Sequence, residues 1–281
     1  MAWSDWFKSK ARAPAVGGEA RPRRFPLSPH HPFDLDDSDR LAALLGAEGR
    51  DQPWFDRFWA AVWTAALTVP EPPVFTGPDG FPYLRLDLPG AADQVDANSL
   101  ANVAARMVEQ GVGVAIFAAP GAAEPGYVMS MGVLDSILRF DDPNGEPSEL
   151  AETASRAGGF ERTMLEAGQQ VLIGAPSEDY LSTPAARALH RHLAEGWRIA
   201  DPRVALLTAP AMRPARSLVI GKSAAELHAE GVDDALIAER MRMLTWYLPP
   251  SRGLVLMPDD WSLDQLTPLG ALIEGRRSRA L

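Results

Sequence analysis

One heptapeptide recurs in this chain and constrains its architecture more than any other feature. Val114-Ala-Ile-Phe-Ala-Ala-Pro120 is echoed by Val204-Ala-Leu-Leu-Thr-Ala-Pro210 at an offset of 90. Each copy is a short apolar run closed by proline, the pattern of a buried strand. Before the first lies a predicted helix, Ser99–Gln110, with Leu100, Val103, Ala104, Met107 and Val108 on one face and Gly111 as its C-cap. Before the second lies another, Thr183–Glu195, with Pro184 in its first turn and Gly196 closing it. Each helix is itself preceded by a strand, Phe81–Leu88 or Gln169–Gly174. After each heptapeptide come a second strand (Tyr127–Met131, Ser217–Ile220), a glycine (Gly132, Gly221) and an amphipathic segment. The economical reading is an α/β protein, with α+β as the alternative, built from two related β-α-β-β-α units.

The rest of the chain is arranged around these units. A pair of helices precedes the first. One carries Leu41, Leu44 and Leu45, with Ser38 or Asp39 as its N-cap. The other carries Phe55, Phe58, Trp59, Val62, Trp63, Ala66 and Leu67 at helical spacing and runs to Val69-Pro70. That aromatic stripe reads as a core face. The turn-rich run from Asp141 to Ser148 is the candidate boundary, giving a tail over 1–35, an N-terminal domain over 36–148 and a C-terminal domain over 149–281. Within the latter, Val232–Tyr247 reads as a long helix, Gly253–Met257 as a strand and Leu263–Ile273 as the last helix.

Charge is divided unevenly. The chain has 27 Lys and Arg against 37 Asp and Glu, a net charge of −10. Six of the bases and two of the acids fall within residues 1–24, so that segment carries +4 and the remainder −14. The segment is broken by prolines and glycines and reads as a disordered-like tail. Were its start helical, Trp3, Trp6 and Phe7 would share a face, next to Lys8, Lys10 and Arg12. These six residues are the candidate partner-binding set, suited to a protein groove and, less favourably, to an anionic membrane surface, the alternative being a tail that folds back on its own domain.

Composition and motifs close several routes. No cysteine is present, which excludes disulfides, thiolate metal sites and a cysteine nucleophile. The acidic balance speaks against nucleic acid. No signal peptide is expected at the N-terminus, and no apolar run reaches the roughly 20 residues of a membrane span, so a bacterial-type cytoplasm is the expected location. Gly221-Lys-Ser223 lacks the glycine a phosphate loop needs five residues earlier, where Arg216 stands. Ser130 lacks the small residue of a nucleophile elbow at Val128 and reads as a strand serine. His190 and His192 are two apart on a helix and cannot share an ion. No catalytic residue, cofactor or metal is therefore expected, and an enzyme is the less favoured reading. Should a small ligand bind, its pocket would lie at the strand-end loops near 120–126, 176–180 and 210–216, with Tyr180, Arg213 and Arg216 meeting an anion.

Two stretches resemble the SseB family, the enhanced-serine-sensitivity type. The first is Asp51–Leu67 with Thr68-Val-Pro70, Phe75, Asp79-Gly80 and the Tyr83 strand. The second is Gly168-Gln-Gln-Val-Leu-Ile-Gly-Ala-Pro176, followed by Ala188-Leu189, Leu193, Val204-Ala-Leu206 and Ser217-Leu-Val-Ile-Gly221. The resemblance spans roughly residues 40–270, while the tail 1–35 and the region 197–202 depart from it. It implies a cytoplasmic protein without an established catalytic site, and it supplies no catalytic residues. The reading it favours is a non-catalytic, regulatory type of protein that contacts another protein or a second copy of itself. The alternatives are a small-ligand binder or enzyme and a membrane-surface adaptor.

Overall fold

The computed structural model describes residues 23–28, 30–90, 97–145, 171–209 and 215–278. Two α/β units follow a helical pair, in agreement with the expected class. The pair is α1 (Leu35–Leu45) and α2 (Gln52–Val62). The first unit runs β1 (Val74–Thr76), β2 (Pro82–Asp87), α3 (Leu100–Gln110), β3 (Gly113–Phe117), β4 (Tyr127–Met129) and α4 (Met131–Phe140). The second runs β5 (Leu172–Gly174), α5 (Thr183–Arg191), β6 (Arg203–Thr208), β7 (Arg216–Ser223), α6 (Ala224–Ala229), α7 (Asp234–Thr245), β8 (Gly253–Met257), β9 (Thr267–Pro268) and α8 (Leu269–Arg277). The 148/149 boundary and the tail up to Pro22 lie outside the described residues.

The units form two separate sheets, ordered β1-β2-β3-β4 and β5-β6-β7-β8, with β9 added beside β6. The two heptapeptides are β3 and β6. Both pair antiparallel with the strand that follows, Val114 opposite Met129 and Val204 opposite Ile220. The preceding connections differ. The α3 crossover returns β3 parallel to β2, whereas β5 and β6 run antiparallel around α5. The sequence echo thus marks a shared strand and hairpin rather than a shared sheet. One apolar cluster joins the units, running from Trp54 and Phe58 through Ile116 and Leu134 to Leu189, Leu218 and Leu244.

Local chemistry explains most element ends. Gly111 adopts a left-handed φ of 74°, and the N–H groups of Gly111 and Val112 donate to the carbonyls of Val108 and Met107. That pairing of bonds is a Schellman closure of α3. The α2 stripe is a core face, as expected: Trp54 and Phe58 are fully buried, and the Phe58 ring lies 4.2 Å from that of Tyr127 on β4.

Several ends differ from the sequence expectation. The N-cap of α1 is Asp34, not Ser38 or Asp39; its carboxylate accepts from the N–H groups of Asp36 and Asp37, so the acidic run becomes the first helical turn. Helix α2 stops at Val62, because the chain beyond it is claimed by other partners. The N–H of Asp34 donates to the carbonyl of Thr64, and Leu67 and Thr68 bridge to Asn98 and Asp87. Ser130 is not a strand residue. Its hydroxyl accepts from the N–H of Val133 and caps α4, which starts three residues earlier than its apolar pattern suggests. Helix α5 ends in a π turn over His192–Gly196, and the expected last helix splits into a 3-10 turn, β9 and α8.

The backbones of the two units approach closely at Gly132. Its N–H donates to the carbonyl of Trp246 (2.9 Å), and a Cβ there would stand 1.9 Å from the carbonyl oxygen of Leu248. Gly132→Ala is accordingly expected to lower stability by about 3 kcal/mol, since backbone rather than a flexible side chain must yield. Thermal or urea unfolding of the variant checks this.

Candidate functional site

The β1–β2 turn and the end of α7 meet in an aromatic seam. Trp246 lies flat on Phe81, with ring centroids 4.4 Å apart and planes 6° from parallel, and meets Tyr83 edge-on at 5.7 Å. Its indole N–H, buried in the seam, donates to the Tyr83 hydroxyl (2.8 Å), which donates in turn to Asp79 Oδ2 (2.6 Å). The other oxygen of Asp79 accepts from the N–H of Phe81. Burial first, then the Asp79 hydrogen bond, pushes the Tyr83 pKa up, so the phenol stays protonated and keeps donating. Gly113 leaves room for the seam: a Cβ there would come within 2.9 Å of both Trp246 and Tyr83. On the far side of Phe81, His192 shares a hydrogen bond between Nδ1 and the Tyr247 hydroxyl (3.0 Å). Burial lowers the His192 pKa and holds Tyr247 up at about 12.

Outside this seam opens a groove of about 490 Å³, bordered by Asp79, Phe81, Ser130, Glu239, Arg242 and Trp246. Both signs of charge stand on its rim. Arg242 donates twice to Glu239, from Nε to Oε2 (2.9 Å) and from Nη2 to Oε1 (2.6 Å), and that pairing lowers the Glu239 pKa. Asp79 is engaged by Tyr83, Glu239 by Arg242, and His192 by Tyr247. Each of these titratable groups has its partner within the fold. Among the described residues no three His, Asp or Glu side chains converge as metal ligands, and no helix is long and apolar enough to cross a membrane.

A second polar joint lies deeper. Asp135 on α4, 3% exposed, accepts from the Ser182 hydroxyl (3.0 Å) and from Arg139 Nη1 (3.3 Å). Ser182 also caps α5 through the N–H of Ala185, so one carboxylate ties the first unit to the start of a helix in the second. Burial raises the Asp135 pKa against the lowering pull of Arg139 and Ser182.

Of the residues proposed for an anionic ligand, Tyr180 and Arg216 do come together, while Arg213 lies outside the described residues. The Arg216 guanidinium stands 5.5 Å from the Tyr180 ring centre and that of Arg252 stands 4.4 Å from it. Yet Tyr180 is only 1% exposed, and its hydroxyl faces the carbonyls of Arg216 (3.2 Å) and Gly253 (3.4 Å), joining β7 to β8. It is a strut inside the second unit, and neither it nor Arg216 borders the groove. Trp3, Trp6, Phe7, Lys8, Lys10 and Arg12 also lie outside the described residues. The groove itself was not foreseen from the sequence, because Trp246 sits one step off the apolar register of its helix. Two sequence signals lay near it: the Asp79-Gly80 turn, noted within the family resemblance, and Ser130, read as a strand serine.

Comparison with protein-family models, with curated proteins and with solved structures finds no match for this chain.

Two outcomes follow from the seam. Tyr83→Phe removes the acceptor of the Trp246 indole and the donor to Asp79, and is expected to cost about 1–3 kcal/mol in unfolding free energy. His192 provides a pH signature. Its folded pKa lies below the unfolded value of 6.5, so the folded state binds fewer protons, and stability is lost as pH falls below about 6.5. The difference in melting temperature between His192→Gln and the parent, followed from neutral to mildly acidic pH, is expected to move in favour of the variant as pH falls.

Proposed function

We propose that the chain is a non-catalytic, SseB-like protein of the cytoplasm that works through contact with another protein. The observation that carries this reading is the β5 edge. β5 pairs with β6 on one side and has no strand on the other among the described residues. Leu172 is 71% exposed and Ile173 38%, and the run Val171-Leu-Ile-Gly174 contains no charge and no proline. Sheet edges in natural proteins are usually guarded by charges, prolines or bulges, because an open edge recruits another strand. An apolar, unguarded edge suits strand addition, in which backbone hydrogen bonds bind and alternate side chains select. The same residues lie within the Gly168–Pro176 stretch that carries the family resemblance.

The groove above the Phe81–Trp246 pair favours a second reading, a small-ligand site located at the junction of the units rather than at the strand-end loops. A zwitterion or a short peptide end would match its mixed charges.

A photo-crosslinking residue in place of the exposed Ala175 tests the first reading in the full chain. A single protein partner is expected to crosslink there, and Leu172→Lys is expected to abolish the product while changing stability by less than about 0.5 kcal/mol. Crosslinking that is absent, or that persists in Leu172→Lys, overturns it.

A further inference from the structure

A surface at the start of α1 combines exposed apolar side chains with carboxylates. Leu27, Phe33 and Leu35, three of the eight exposed large hydrophobics among the described residues, fall within nine positions of one another, and Leu35 is 57% exposed. Phe33, Leu35, Asp34, Asp36 and Thr64 border a cavity of about 440 Å³. The carboxylates of Asp36 and Asp39 are exposed and have no basic partner among the described residues, while Asp37 is taken by Arg40 and Thr64. The patch is thus apolar at its centre and acidic at its rim.

The chain carries the complement of this patch in its own first residues. Trp3, Trp6 and Phe7 are followed by Lys8, Lys10 and Arg12 within a segment of net charge +4. The point where that segment joins the body is clamped. Arg23 Nη2 donates to the carbonyls of Ile137 (2.7 Å) and Leu138 (3.0 Å), and Asp141 accepts from the N–H groups of Arg24 and Phe25. Phe25 is fully buried, 5.3 Å from Trp63 in ring centres. Eleven residue steps lead from Arg12 to Arg23 at this clamp and can span up to about 40 Å. Ten residue steps separate Arg23 from Phe33, so the patch lies no further than about 36 Å from the clamp. The connector is long enough to bring the basic, aromatic stretch onto it.

We propose that residues 3–12 dock in cis on the Leu27–Leu35 patch. Trp3, Trp6 and Phe7 cover the apolar centre around Phe33 and Leu35. Lys8, Lys10 and Arg12 face Asp34, Asp36 and Asp39. Because tail and patch belong to one molecule, docking is a unimolecular event whose effective concentration is set by the short connector. An external protein or anionic surface must then compete with the patch for Trp3, Trp6 and Phe7. This docking is independent of the β5 edge, and either can fail without the other.

The absence of cysteine makes the test direct, because one introduced thiol takes one label. A spin label on Ser4→Cys in the full-length chain is expected to remove most of the amide signal intensity of residues 31–36 by paramagnetic broadening. Leu35→Asp, an exposed position in the first turn of α1, is expected to restore those signals without loss of fold, and raised salt to restore them in part. Broadening elsewhere on the body, broadening that survives Leu35→Asp, or broadening transmitted between labelled and isotope-labelled copies in a mixed sample overturns docking in cis.

Discussion

Burying the indole N–H of Trp246 is the requirement on which the arrangement of the two units depends. A buried donor needs an acceptor, and Tyr83 provides it; the Tyr83 hydroxyl needs an acceptor of its own, and Asp79 provides that. The three groups come from the end of α7, from β2 and from the turn before it, so the chain of bonds holds the second unit against the first. Stacking on Phe81 adds apolar contact that only a nearly parallel approach allows. Two glycines make the approach feasible: Gly113 leaves space for the rings, and Gly132 lets the backbone of α4 meet that of Leu248. The deeper Asp135–Ser182 bond repeats the logic, joining a buried carboxylate of one unit to the cap of a helix in the other.

With the units joined in this way, the surfaces of the proposed contacts belong to other parts of the fold. The seam engages its titratable groups in hydrogen-bonded pairs, and on the rim of the groove outside it Arg242 pairs with Glu239. The β5 edge and the acidic, apolar patch at α1 lie away from the seam, where a partner or the chain's own tail can meet them without disturbing it. The division of charge between tail and body gains a specific meaning from the patch. It sets the exposed carboxylates of Asp36 and Asp39 beside the exposed Phe33 and Leu35, close in sequence to the basic segment.

Much of the secondary structure was legible from pattern alone, and the exceptions share a cause. Helix α3, with Gly111 closing it, follows from its apolar period and from the φ that glycine tolerates. The buried character of β3 follows from its composition. By contrast, α2 keeps a helical pattern for several residues beyond Val62, but Thr64, Leu67 and Thr68 find hydrogen-bond partners on distant segments and leave the helix. Ser130 looked like a strand residue because its neighbours are apolar, although its hydroxyl is the natural start of α4. The site was less legible. Tyr180 and Arg216 were expected to meet an anionic ligand; they lie together, but nothing local reveals that the tyrosine hydroxyl faces the carbonyls of β7 and β8.

Sequence by itself determined the α/β class, the strand-and-hairpin echo of β3 and β6, the core face of α2 and the contrast between a basic tail and an acidic body. These depend on side-chain period, on composition and on charge, all of which are local properties. Only the tertiary structure decided that the two units form separate sheets, that β5 runs antiparallel to β6 where β2 runs parallel to β3, and that Trp246 sits between Phe81 and Tyr83. Those outcomes depend on which distant groups satisfy one another's hydrogen bonds and fill one another's space, and a linear pattern does not encode that choice.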